Sequence, residues 1–272
     1  MELSGRFLPR FLASGAAVLM AAVFATDAAA AARRAPPEGP KCPTIGKSAA
    51  IFSKLVDVGG FSTADGTEVK LAGILAAGAG GEVVRADRLA AARNALEDAL
   101  HKGSITVEPA EARDRYGRTV AQVFAGDVWV QGALLREGFA RAAPDAASAV
   151  CATAMLAAER EGREPHAGLW ADGVFSVRSP TELRDRIGSF QIVEGRVVTA
   201  TLIKGRAYLN FGPDYRTDFT VTIAPTEMRL FRQVKVDPRE LAGRIVRVRG
   251  WLGSYNGPEM ELLSPAALET VN

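Results

Sequence analysis

One order of short apolar runs occurs twice along this 272-residue chain, and it leaves few folds open. In the first half, Ile51 to Val58 and Thr67 to Ile74 read as strands joined by the hairpin turn Asp65-Gly66. Ser104 to Glu108 and Thr119 to Phe124 are two more, linked by the polar turn Asp114-Arg115-Tyr116-Gly117. Between the pairs, Glu82 to Leu100 places Val83, Leu89, Ala92, Leu96 and Leu100 near one face at helical period. Helices follow at Val130 to Glu137 and from about Ala146 to Glu161, the latter with Cys151, Met155 and Leu156 on its apolar side.

The second half repeats the plan. Strands are expected at Gln191 to Leu202, Arg206 to Phe211 and Asp218 to Ile223, then helix at Pro225 to Gln233 and a short helix opened by Asp237-Pro238. Arg244 to Leu252 and Met260 to Leu263 complete the set. Five strands with a helix before the fourth is the order of an OB-fold. The expected class is therefore mainly β with α, an α+β chain of two five-stranded OB-fold barrels, the first with additional helices. Abundant glycine (27) and scarce aromatics (7%) suit short twisted strands with tight turns.

Thirty-three basic against 31 acidic residues leave a surplus of only +2, too small for a cationic nucleic-acid wrapper. Two cysteines and two histidines exclude four-ligand zinc ribbons and cysteine-ligated iron–sulfur clusters. Neither His101 nor His166 has a partner acid or nucleophile at useful spacing. Residues 1–32 have the parts of a cleaved secretory signal: Arg6 and Arg10, an apolar run from Phe11 to Ala25, then small residues around Ala28 and Ala30. That run is about 15 residues, short of the roughly 20 that span a bilayer, so no integral membrane anchor is expected in the mature chain. Residues 33–43 form a Pro-rich linker, 44–173 the first domain and 187–272 the second. Export to a periplasm or to the outside of the cell makes a Cys42–Cys151 disulfide the natural pairing, against two inert buried thiols.

The run Asp114-Arg115-Tyr116-Gly117-Arg118-Thr119-Val120-Ala121-Gln122-Val123-Phe124, with Trp129-Val130-Gln131 and Leu134-Leu135-Arg136-Glu137-Gly138-Phe139-Ala140, resembles the staphylococcal nuclease (thermonuclease) family. Val69-Lys70-Leu71-Ala72-Gly73-Ile74 resembles that family's preceding strand, and Ala158-Glu159-Arg160 with Gly168-Leu169-Trp170 its terminal helix and tail. Tyr208 to Gly212 with Arg216 to Val221 is similar to an OB-like domain appended to some exported members. The resemblance implies an OB barrel that hydrolyses DNA and RNA with one calcium ion. Such chemistry needs cationic charge on the phosphoryl oxygens, a carboxylate to activate water, and carboxylates to seat the ion.

The carry-over is incomplete. Arg118 keeps the family arginine after Tyr-Gly, whose fork can clamp a phosphate. The other family arginine is Lys70, which keeps the charge and loses the bidentate fork. After that strand the family's acid, small residue, proline and catalytic glutamate become Leu75, Ala76, Ala77 and Gly78, so the general base is absent at Gly78. The family's Asp-Gly-Asp-Thr maps onto Asp57-Val58-Gly59-Gly60, leaving Asp57 as the one remnant of the metal set. Losing a positioned base costs about 10² to 10⁴ in rate, and losing the metal costs several kcal/mol more.

The expectation is an exported scaffold of this type that binds nucleic acid, single- or double-stranded, or another ligand, with no cofactor. Arg118, Lys70 and Tyr116 would contact nucleic acid in the first half, and a stripe of Arg244, Arg247 and Arg249 in the second. Tyr208, Phe211, Tyr215 and Trp251 are candidate stacking residues, although Phe211 and Phe219 suit the core. Two rivals stay open. A working calcium-dependent phosphodiesterase would need a relocated acid, for which Glu82 is the candidate; otherwise Glu82 is a favourable acid in the first turn of its helix. An envelope protein-interaction module would never meet nucleic acid.

Overall fold

Alternation in the first half builds β1 (Ser48–Ala50), β2 (Phe52–Asp57), β3 (Gly60–Thr63), β4 (Glu68–Leu71) and β5 (Ile74–Ala76) ahead of helix α1 (Ala86–Leu100). Then come β6 (Ile105–Pro109), β7 (Thr119–Ala125), β8 (Val128–Trp129), α2 (Val130–Arg136), β9 (Ala140–Ala142) and α3 (Ala152–Arg163). The computed structural model describes residues 42, 44–110, 113–145 and 149–271, all within one compact unit. The expected leader at 1–32, the linker except for Cys42, and residues 146–148 of the expected third helix lie outside the described residues.

The second half runs β10 (Val177–Arg178), β11 (Phe190–Arg196), β12 (Thr199–Ile203), β13 (Arg206–Asn210), β14 (Thr220–Ile223), α4 (Met228–Gln233), β15 (Ile245–Ser254), β16 (Pro258–Glu261) and β17 (Leu268–Val271). Its strand path, β11-β15-β16-β14-β13-β12, repeats that of the first half, β1-β6-β7-β4-β3-β2. The parallel pair falls at the same place in each, β4 with β7 and β14 with β16. Each path begins and ends on strands adjacent in the chain, β1 and β2 flanking Ile51, β11 and β12 flanking Val197-Val198. Among the described residues no pairing closes either path into a ring, so the structure gives two β-rich paths of paired strands and does not confirm the two expected five-stranded barrels. One long strand has to serve both edges of each sheet, and it is interrupted where it changes partners.

Helix α1 starts at Ala86, not Glu82, and buries Ala92, Ala95, Leu96, Ala99 and Leu100. Val83, expected on its apolar face, precedes the helix and is 94% exposed. The core partners of α1 include Phe61, Leu71, Val123 and Leu134, while Leu209, Phe219, Val221, Phe231 and Val248 fill the second half. Phe211 and Phe219 pack against each other with ring centres 4.9 Å apart, as expected of core residues. Cys42 and Cys151 form a disulfide with Cα atoms 5.4 Å apart. It closes a separation of 109 residues, a constraint worth about 4–5 kcal/mol in the chain-entropy account.

A third apolar cluster joins the halves, with Ala77, Leu169 and Trp170 from one side against Phe190 and Ile192 from the other. Beside it lies a buried ionic network. Arg249 on β15, fully enclosed, donates from Nη1 to both Glu159 carboxylate oxygens at 3.0 and 2.9 Å and to the Ala142 carbonyl at 3.1 Å. Its Nη2 donates to Glu269 at 2.7 Å. Glu159, on α3 and equally buried, also accepts the Ala142 N–H at 2.7 Å and Arg163 at 3.2 Å. Desolvation opposes the charge on Arg249, but Glu159 and Glu269 outweigh it and hold its pKa above the ordinary value.

Breaking one side of such a pair strands the other charge away from water, at a cost of about 3–5 kcal/mol. Glu159→Ala is therefore expected to lower unfolding free energy in urea by about that amount. The double variant Glu159→Leu/Arg249→Met should recover much of the loss, because neither of the two fully enclosed charges remains, and Arg163 and Glu269 keep some access to water. Equal destabilisation by the single and double variants would contradict this account of the joint.

Candidate functional site

Three residues expected to share a site do converge. Asp57 ends β2, Lys70 stands on β4, and Arg118 enters β7, which pairs parallel to β4 in the register Lys70 to Val120. With Glu68 they line a hollow of only about 10 Å³. Arg118 is already engaged: its Nε and Nη2 donate to Asp114 at 2.9 and 2.8 Å. The other Asp114 oxygen accepts the N–H groups of Tyr116 and Arg118 at 2.9 and 3.0 Å. Desolvation raises the Asp114 pKa, and these bonds outweigh it and hold the carboxyl below its ordinary value. The clasp is thus in place at neutral pH and is lost only as pH falls through that depressed value.

On the outer side of the same turn, Tyr116 is 67% exposed. The guanidinium carbons of Arg115 and Arg118 lie 4.8 and 5.2 Å from its ring centre. Arg113, also exposed, donates to the Gly117 carbonyl at 2.9 Å and steadies the turn. Arg113, Arg115 and Tyr116 therefore face solvent together, an aromatic plane between cations.

The segment after β5 has a different task. Beyond Gly78, where the family resemblance placed the missing general base, the chain docks on the second half. The Gly80 carbonyl accepts the Phe190 N–H at 2.7 Å. A Cβ at Gly80 would fall on the Arg141 guanidinium, and one at Gly81 would come within 3.1 Å of the Ser189 Cβ. Gly81 also has φ +82°, where side chains are strained. Arg141 donates to the Phe190 carbonyl at 2.8 Å and to Glu82 at 2.9 Å, and its guanidinium lies over Phe175 and Phe190. Desolvation lowers the Arg141 pKa and Glu82 partly offsets it. Glu82 takes the Gly78 N–H on its other oxygen at 3.0 Å. So Glu82 is neither a helix first-turn acid nor directed at Arg118; it is the counter-charge of the joint.

A calcium ion does not fit this donor set. Calcium takes six to eight oxygen ligands, usually several carboxylates. Here the hollow offers two carboxylates, Asp57 and Glu68, of which Asp57 Oδ1 already accepts the Gly59 N–H at 2.7 Å, and Gly59 and Gly60 bring no side-chain oxygen. Among the described residues no three His, Cys, Asp or Glu side chains group where they could hold a metal.

The matching stretch carries Arg118, Tyr116, α1, α2 and α3. Residues 87–172 match the family model described as Staphylococcal nuclease homologue. No curated protein matches the chain. The match supports a staphylococcal-nuclease-like stretch over residues 87–172, and it covers neither Asp57, Lys70 and Gly78 nor the second half.

In that second half the expected arginine stripe is not a stripe. Arg244 is exposed, Arg247 donates to Glu194 at 2.6 Å, and Arg249 is buried in the joint. Alternation placed Arg249 opposite the core-facing Val246 and Val248 correctly, but the first half covers that opposite face. Of the candidate stacking residues, Tyr208 is half-buried, while Tyr215 and Trp251 are 55% and 51% exposed. Sequence reading missed Glu159 as a buried acid, although Ala152, Met155, Glu159 and Gly162 follow the spacing of one helix face and all are buried.

Because Gly80 leaves room for the Arg141 guanidinium, Gly80→Ala is expected to displace that side chain and cost about 1–3 kcal/mol in urea unfolding. Gly117→Ala, at a turn with open space around it, should cost only its unfavourable φ of +80°, about 1–2 kcal/mol, without loosening the joint. Hydrogen exchange at the Phe190 amide separates the two: it should quicken in the first variant alone.

Proposed function

We propose that this is an exported nucleic-acid-binding protein on a nuclease-like scaffold whose first half no longer hydrolyses phosphodiesters. The observation that carries the reading is the turn at residues 113–118, where exposed Tyr116 stands among arginines and the nearest acid, Asp114, is clasped by Arg118. A planar base can stack on tyrosine or guanidinium, and free arginines can neutralise adjacent phosphates. Loss of hydrolysis follows from the positions that would seat an ion and activate water, which are Gly59, Leu75 and Gly78. The reading also includes two OB-like domains at 44–173 and 187–272, a leader removed at about residue 32, and a periplasmic or extracellular site of action. The Cys42–Cys151 disulfide is compatible with such a compartment.

Binding of a fluorescent single-stranded oligonucleotide is expected at low salt, with log K falling against log salt by about 0.7 for each phosphate neutralised. Tyr116→Ala and Arg115→Ala should each weaken it, the former by about 1–3 kcal/mol. No cleavage should accumulate with calcium. Calcium-dependent cleavage abolished by chelator and by Arg118→Ala would instead establish a working phosphodiesterase. Absence of any affinity at low salt would leave an envelope interaction module.

A further inference from the structure

Lys70 faces two places at once. It lines the small hollow with Asp57 and Arg118, and it also lines a groove of about 410 Å³ between the two halves. The first half contributes the chain from Lys70 to Leu75 to this groove, and the second contributes Phe190, Trp251 and Leu263. Lys70 is thus shared by the hollow that Arg118 lines and the groove that Trp251 lines. Among the described residues the Lys70 ammonium makes no ion pair, so its charge is available to a ligand of the groove it lines. The other charged groups along it are mostly spoken for: Arg249 by Glu159 and Glu269, and Glu261 by Arg206 at 2.9 Å. Asp145, also on the groove, is engaged as well.

Trp251 has the posture of a platform. It stands opposite Phe190 in the β11–β15 register, with ring centres 6.2 Å apart at 81°, so the phenylalanine edge buttresses it while half of its surface stays in water. Nearby Leu263 is 60% exposed and Leu75 half-buried, which gives the groove apolar walls. Its volume lies in the range of small-molecule sites, roughly 300–1,000 Å³, with room for an unpaired base and none for a duplex.

We infer that the groove is a second base-binding subsite, in which Trp251 stacks an unpaired base of a single strand whose adjacent phosphate meets Lys70. The inference rests on the nucleic-acid reading above and extends it: the second half contributes directly to the ligand, and the preferred ligand is single-stranded. No covalent step is involved.

Fluorescence isolates the subsite, because Trp129 and Trp170 are buried and Trp251 is the exposed member of the chain's three tryptophans. The probe is an oligothymidylate of about a dozen nucleotides, within the site sizes OB-type faces take. It should quench tryptophan emission and shield it from iodide in the wild-type protein. Trp251→Ala should weaken binding about 5- to 100-fold, Trp251→Phe should retain most of it, and duplex of the same length should bind equally to all three. An oligonucleotide with abasic sites should bind wild type and Trp251→Ala alike. If oligothymidylate binds through Tyr116 and Arg115 while tryptophan emission and the Trp251→Ala affinity stay unchanged, the subsite is refuted and the broader reading stands. If wild type binds no oligonucleotide at low salt, both fall. An apolar dye held in the groove and not displaced by oligothymidylate assigns it to another occupant and also refutes the subsite.

Discussion

The joint between the halves hangs on the pairing of Arg249 with Glu159, two side chains from residues 90 apart that water does not reach. A charge taken into such an interior is costly unless matched and hydrogen-bonded. Glu159 meets that condition with Arg249, Arg163 and the Ala142 amide, and Arg249 with Glu159, Glu269 and the Ala142 carbonyl. Because every partner is fixed on a strand or helix, few relative placements of the halves satisfy all of them. Apolar packing of Trp170 and Phe175 near Phe190 supplies the adhesion, and the ions supply the register.

That register explains the fate of the segment after β5. It lies against the second half, bonded through the Gly80 carbonyl and packed against Arg141. Such close approach excludes side chains at Gly80 and Gly81, and it captures Glu82 as a partner for Arg141. The same backbone cannot both carry a water-activating carboxylate into an open site and serve as the floor of a joint.

Much of the fold was legible because its signals are local. Alternation in Thr119 to Phe124 and Arg206 to Phe211 reports which face meets the core, and the period of Leu89 to Leu100 reports a helix. What was not legible depends on distant contact. The start of α1 is set by the docking of Gly80 to Glu82, so the apolar Val83 was assigned to a face it never joins. Arg249 sits on the solvent-facing phase of its strand and is buried only because α3 and β9 cover it. Closure of the strand paths depends on how one long strand bends at Ile51 and at Val197-Val198, for which alternation gives no signal. In the candidate site, the meeting of Asp57, Lys70 and Arg118 was recoverable from the family pattern, whereas the clasp of Arg118 by Asp114 needed the turn's geometry.

Inward pairing also decides what the protein has left to offer a ligand. A chain with a surplus of +2 has little charge to spare, and Arg141, Arg163, Arg247 and Arg249 spend theirs on Glu82, Glu159, Glu194 and Glu269. Long-range attraction to a polyanion is then weak, and affinity has to come from a few exposed groups acting at contact distance. Contact-distance binding rewards planar apolar surfaces beside single cations, since stacking does not fade with salt as phosphate neutralisation does. Tyr116 beside Arg115 has that composition, and so does Trp251 along the groove from Lys70. Under the proposed binding role, with Arg141 and Arg249 committed to the joint, aromatic planes beside single cations become the main means of recognition, and such planes favour bases that are not already paired.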